Sequence, residues 1–344
     1  MPSFRLFFPF GLFFFVCLLS CQSNKKTPDI SHIKADVKIE RFDQELAQLD
    51  TLSVPKQNKL WQTKYAPFYQ DFMLHMLEVG DARDTLYIDY MMKRILQQED
   101  FKNLAAAVAE KYPSLQTQEK ELSLAMRYMK YYFPAYNVPR FYSFFSGFSV
   151  QVPIGEGYVG IGLDMFLGSD SKFYPSLVRD IPLYLSRRFT PENITPRVVE
   201  SILRQDLYPP DENNTSSLQH MVYQGKILLA MDSILPETAD SLKIGYTAKQ
   251  LEWAKGYEGE VWSWFLQEDL LYNTDHLRIQ KYFTEGPFTA ELGENNESAP
   301  KLGTYLGWML VRKYMERNPE VTLKALLANS NAQEILEQSK YKGK

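Results

Sequence analysis

Phe141-Tyr142-Ser143-Phe144, Val150-Gln151-Val152 and Tyr158-Val159-Gly160-Ile161-Gly162-Leu163 form the stretch in which apolar residues leave the helical period and read as strands. Between the last two, Ile154-Gly155-Glu156-Gly157 reads as a hairpin connection. The glycines of the returning segment predict close backbone approach or a bulge. The one further strand candidate is short, Val37 and Ile39 alternating with Lys38 and Glu40, followed by Asp43 as a helix cap. The expected fold is therefore mainly α, an α+β helical domain with one small antiparallel sheet or hairpin.

Working outward, helical spacing covers most of the remaining chain. Before the hairpin it predicts helices over 58–80, 84–98, 101–112 and 118–133. After the hairpin it predicts helices over 175–187, 196–207, 217–234, 247–265, 266–285, 303–318 and 321–328. Thr190-Pro191 and Thr195-Pro196 both place Thr at an N-cap and Pro at the first helical position. Thr247 with Gln250 three residues later has the form of a capping box. No repeat period emerges, so a solenoid is not indicated.

The N-terminus carries a different signal. Arg5 precedes an apolar run from Leu6 to Leu19, and Leu18-Leu19-Ser20-Cys21 has the pattern of a bacterial lipobox. The run is shorter than the roughly 20 residues that a spanning helix needs. The expected organisation is a lipoprotein signal peptide over 1–20, a lipidated N-terminus and flexible tether over 21–32, and one globular domain over 33–344. In that reading the Cys21 thiol takes a diacylglyceryl group, the peptide is cut before it, and the new amine is acylated. At about 0.8 kcal/mol per buried methylene, several chains give stable attachment to membrane lipid. Lys25 and Lys26, with no acidic cluster after the cysteine, favour an anchor facing the periplasm.

Composition removes several kinds of chemistry. Cys17 and Cys21 are the two cysteines, and both belong to the leader, so disulfides and Cys-based zinc sites are excluded from the mature fold. Loss of residues 1–20 removes Arg5 and no acid, taking the net charge from −4 to −5, which argues against nucleic acid. His32, His75, His220 and His276 make no His-x-x-x-His pair, and neither a Gly-x-Ser-x-Gly elbow nor a phosphate-binding Gly-rich loop occurs. The order of elements still suggests a degenerate zincin-like (gluzincin) metallopeptidase frame. In such a frame Glu200 stands in the base position, while Val199 and Leu203 occupy the ligand positions and Gln224 the third. Apolar side chains offer zinc no lone pairs and an amide is a poor substitute for carboxylate, so no metal, no cofactor and no catalytic residue are expected. The plainer reading of Glu200 is a surface ion pair with Arg204 at i+4. For Asp164 the expectation is a cap on the next short helix rather than a binding carboxylate. Tyr257, Trp262 and Trp264 are candidate contact residues because aromatic side chains anchor interfaces, although core packing competes for them.

Collinear segments of the chain resemble the gliding-motility lipoprotein GldB family. They are Ile39-Glu40-Arg41-Phe42-Asp43, Gly162-Leu163-Asp164-Met165-Phe166-Leu167-Gly168, Gln224-Gly225-Lys226-Ile227-Leu228 with Met231-Asp232, Leu270-Leu271-Tyr272-Asn273-Thr274-Asp275, Gly286-Pro287-Phe288, Gly303 with Gly307-Trp308, and Ser339-Lys340-Tyr341. The Gly303-x-x-x-Gly307-Trp308 helix also resembles a group of predicted zinc peptidases. The resemblance implies an anchored component of the gliding and associated export apparatus, acting through contacts with other envelope proteins and without catalysis. A ligand-binding envelope lipoprotein using the aromatic cleft beside the hairpin is the alternative, and a lipid-anchored zinc-peptidase-like hydrolase is a third reading.

Overall fold

The computed structural model describes residues 28–213, 215–293 and 297–343. Its sheet has four strands, β1 (Ile39–Arg41), β2 (Arg140–Phe144), β3 (Ile154–Gly155) and β4 (Tyr158–Gly162), in the order β1-β2-β4-β3. β1 runs parallel to β2, β2 runs parallel to β4, and only β3 and β4 are antiparallel. The sheet is thus mixed and mainly parallel, which corrects the expected antiparallel sheet. The hairpin exists, with Gly155 opposite Tyr158, but it forms the edge of the sheet rather than its whole. Val150–Val152 does not form a strand: Gln151 and Pro153 carbonyls accept from the Gly162 and Gly160 N–H groups, while Pro153 has no N–H with which to continue a ladder. The predicted close approach at the glycines is real, since a Cβ on Gly162 would lie 2.4 Å from the Val150 carbonyl oxygen.

Phe42, immediately after β1, is fully buried and meets Trp61, Tyr65, Phe68, Tyr69 and Phe72 edge-on at centroid distances of 5.0–5.9 Å. Asp43 is no cap. It lies inside helix Phe42–Ala47, where it accepts from Arg41 Nε at 2.9 Å and Ser143 Oγ at 2.5 Å, tying β1 to β2. The free edge of β1 is covered by helix Gln116–Tyr132, whose Glu119 and Ser123 side chains accept the Ile39 and Val37 N–H groups. The single helix expected over 58–80 is instead Val54–Lys64, Phe68–Asp71 and a wide turn Phe72–Met76, interrupted at Pro67. Helices Thr85–Gln97, capped by Asp84, and Glu99–Lys111 follow as read.

The second half is organised by two long helices, Ser217–Ile234 and Leu302–Arg317. Gly225 and Gly307 face each other at their crossing. A Cβ on Gly225 would lie 2.1 Å from the Gly307 carbonyl oxygen, and one on Gly307 would lie 2.0 Å from the Met221 carbonyl oxygen. The two backbones are therefore in direct contact, which no residue with a side chain permits. Helix Ile194–Ile202 begins earlier than expected, because Pro191–Asn193 forms a single tight turn that leads straight into it. Thr195 is consequently inside the helix and donates to Glu121 Oε2 at 2.7 Å instead of capping. The Thr247–Gln250 capping box is formed as read, although its helix ends at Gly256 and a second one, Glu258–Gln267, follows. Helix Ala332–Ser339 was not apparent in the sequence pattern.

The backbone contact sets an expected outcome. Gly225→Ala or Gly307→Ala should lower unfolding free energy by about 3 kcal/mol or more, the upper range for overpacking. Gly256→Ala, at a helix end where a Cβ meets open space, should be neutral or stabilise by up to about 1 kcal/mol. Urea unfolding of the three variants beside the parent chain decides it, and equal stabilities would mean that the two helices do not touch.

Candidate functional site

Helix Ile194–Ile202 continues as a wide turn Leu203–Leu207, and its face at i, i+3 and i+7 carries Arg197, Glu200 and Arg204. Arg197 Nη1 donates to Glu200 Oε2, and Arg204 Nε donates to Glu200 Oε1 at 2.8 Å. The second branch of the Arg204 fork reaches Gln224 Oε1 at 2.7 Å. The i+4 pair expected from spacing is formed, but not on the surface: the Glu200 side chain is 12% exposed. Opposite stands Glu285, whose Oε1 accepts from Arg188 Nη1 at 2.5 Å and from Lys301 Nζ. These groups surround a recess of about 200 Å³ whose walls include Arg197, Glu200, Arg204, Gln224, Glu285 and Lys301.

Electrostatics in the recess follow from crowding. Burial raises the Glu200 carboxyl, but Arg197, Arg204, Lys301 and Arg188 outweigh it and hold the group well below the usual carboxylate range. Glu285 is also held low, with burial opposed by Lys301 and Arg188. Burial pulls the Lys301 ammonium down to about 8, against the attraction of Glu285. A carboxylate so strongly held as an anion is a weak proton acceptor, so Glu200 is unsuited to general-base work.

A second, partly buried ionic cluster lies on the other side of Lys243. Arg312 forks onto Asp232, with Nε to Oδ2 at 2.7 Å, and onto Asp240, with Nη1 to Oδ2 at 2.9 Å, while its Cζ lies 3.8 Å from the Trp308 ring centroid. Trp308 Nε1 and Lys243 Nζ also donate to Asp232, at 3.0 and 2.9 Å. Two acids meet two bases there, and the charges cancel.

The zincin-like frame is not supported. Val199 and Leu203 are fully buried core side chains, the Gln224 amide accepts from Arg204, and Glu200 is taken up by two arginines. Among the described residues no group of His, Cys, Asp or Glu side chains is placed to hold a metal ion. Asp164 does not cap a helix; it is buried within the turn Leu163–Phe166, and its Oδ2 collects the N–H groups of Ser146, Gly147 and Phe148 at 2.8–3.0 Å. Burial raises its carboxyl despite those bonds. Trp262 is buried against Tyr341, and Trp264 is partly buried with Nε1 donating to the Tyr282 hydroxyl at 3.0 Å. Tyr257 is 49% exposed and stacks on Trp253 at 4.6 Å. Beside the hairpin lies a cleft of about 590 Å³ walled by Phe133, Tyr136, Ile154 and Tyr158. Cys21 lies outside the described residues.

Arg188 and Lys301 escaped sequence reading because they come from irregular segments flanking helices. A usable signal was present in the Arg197-x-x-Glu200-x-x-x-Arg204 spacing, which puts three charges on one helix face.

Fold and site together define a mainly helical protein with a small mixed sheet and a half-closed, charge-rich recess between helices. The chain belongs to the family described as gliding motility protein GldB, a lipoprotein family whose model matches residues 23–343. No curated protein and no solved structure matches it.

The Glu200 ion pairs give a pH-dependent expectation. The folded-state pKa lies below the ordinary value of 4.5, so the stabilisation is present above that pH and is lost as pH falls below it. Glu200→Gln should cost about 1–3 kcal/mol at neutral pH by leaving two partly buried guanidinium groups without their carboxylate. The gap between parent and variant, read by urea unfolding, should narrow between neutral pH and strongly acidic pH. A gap that stays constant across that range would show that Glu200 is not held as an anion in the fold.

Proposed function

We infer that this chain is a membrane-anchored lipoprotein component of the gliding motility apparatus and its associated protein export, acting by protein–protein contacts and without catalysis. The observation that carries the reading is the family match across residues 23–343. Two further features support it. The lipobox Leu18-Leu19-Ser20-Cys21 gives an attachment chemistry that needs no spanning helix, and no helix among the described residues is long and apolar enough to cross a membrane. The carboxylate in the expected base position, Glu200, is neutralised by two arginines.

In this reading the acylated Cys21 holds the protein at the cell membrane, facing the periplasm, and the folded body meets other envelope proteins. Tyr257 is the contact candidate that reaches solvent, and its ring is stiffened by Trp253, which lowers the entropy cost of using it as an anchor. The second reading, a ligand-binding envelope lipoprotein, is favoured by the cleft beside the hairpin, with its aromatic walls and a volume within the range of small-molecule sites.

Cys21→Ser should move the chain from the detergent-soluble membrane fraction to the aqueous fraction and abolish labelling by a palmitate analogue. In-cell crosslinking of the tagged parent should capture envelope proteins that the variant loses. Unchanged fractionation and labelling of Cys21→Ser would refute the anchoring chemistry. Tyr257→Ala with an unchanged crosslinking pattern would remove that residue from the contact surface.

A further inference from the structure

We propose that the recess between Glu200 and Lys301 is a binding site for a doubly charged oxoanion, inorganic phosphate or a phosphate monoester. The proposal does not depend on how the chain is anchored.

Charge balance is the first argument. Arg197, Arg204 and Lys301 line the recess, and Arg188 stands behind Glu285, so four cations face the two carboxylates Glu200 and Glu285. The excess is two positive charges in a place partly closed to water, where the side chains of Arg188 and Lys301 are each 11% exposed. Lys243 also lines the recess, but its charge is spent on Asp232 and Asp240. The neighbouring Asp232–Asp240–Arg312–Lys243 cluster shows that this fold can balance partly buried charges with its own residues. In the recess two carboxylates are shared among four cations, each with one ion pair, and a net positive excess in a partly closed space is costly. A dianion supplies the missing charge.

Unspent donors are the second argument. Arg197 uses Nη1 on Glu200, while its Nε and Nη2 make no hydrogen bond to the described residues. Arg204 uses Nε and Nη2, and its guanidinium lies against the Tyr223 ring, with Cζ 5.7 Å from the centroid, so the free donors are those of Arg197. The Thr304 hydroxyl, on the first turn of helix Leu302–Arg317, also lines the recess without such a bond. Guanidinium groups present pairs of N–H bonds in a plane, the arrangement that matches phosphate oxygens. The free volume of about 200 Å³ admits a phosphate group together with part of the molecule that carries it.

The backbone around the recess is shaped to keep these cations in place. Gly245 has φ +77°, and a Cβ there would lie 2.0 Å from Arg188 Cζ, so the guanidinium rests where only glycine leaves room. Lys301 itself holds a left-handed φ of +42°. Such a conformation is unfavourable for a residue with a side chain and persists where the surroundings impose it.

The test uses the full chain in a neutral detergent, titrated with inorganic phosphate against chloride at matched ionic strength. Saturable uptake by calorimetry, with a rise in Tm that phosphate produces and chloride does not, is the expected result. Arg197→Gln should weaken the affinity by about tenfold or more through loss of a charge-assisted contact. Two further arms assign the source. Saturable binding of glycerol phosphate without binding to vesicles places the ligand among soluble monoesters. Binding to phosphatidylcholine vesicles that requires added phosphatidate and is lost in Arg197→Gln places it in a lipid headgroup. No saturable binding of inorganic phosphate or glycerol phosphate, with no phosphatidate-dependent vesicle binding, overturns the proposal. Undiminished phosphate affinity in a folded Arg197→Gln overturns it as well. Should that variant not fold, the phosphate-specific rise in Tm of the parent chain decides alone.

Discussion

The contact of Gly225 with Gly307 is the constraint on which the second half of the molecule depends. Two helix backbones touch there without an intervening side chain, and the position of every group on either helix follows from that crossing. Gln224, beside Gly225, is carried to the Arg204 fork. Thr304, three residues before Gly307, comes to the wall of the charged recess. Further along the same pair, Asp232 meets Trp308 and Arg312. A wider separation would pull these polar partners apart, and buried polar groups are costly when left unpaired.

The two ionic clusters answer the same problem in opposite ways. Around Arg312 the acids and bases match, the geometry is forked, and a tryptophan face covers the guanidinium. Such a network fixes one arrangement of helices and asks nothing of the surroundings. Around Glu200 the carboxylates are outnumbered, and the excess charge is held in place by a glycine and a strained lysine. That positive excess in a half-closed space is the feature on which the proposed anion recognition rests.

Much of the helical half was legible in the sequence because amphipathic spacing and caps are local properties. Helix Ser217–Ile234 was read to the residue, and the Thr247 capping box was visible as a pattern. Pro67 marks the break that the spacing over 58–80 concealed, since apolar residues continue at helical intervals on both sides of it. Strand direction was not legible. The hairpin is written locally in Glu156-Gly157, but the parallel pairing of β1 with β2 joins segments about a hundred residues apart through Asp43 and Ser143. The candidate site divided along the same line. Glu200 and Arg204 share a helix and could be paired from spacing, while Arg188, Glu285 and Lys301 meet them only through tertiary packing. The metallopeptidase resemblance misled because the order of elements in a chain does not determine how they pack.

The ring cage around Phe42 has a mechanical meaning. Parallel pairing means that a load directed along β1 would be shared side by side by its hydrogen bonds to β2. Directly behind that strand, Phe42 is wedged among five rings and Asp43 is tied to Ser143. A pull from that side would first release the buried Ile30, Ala35 and Val37 and would then work against this aromatic collar. The first strand of the sheet is thus the most firmly fastened edge of the described N-terminal half.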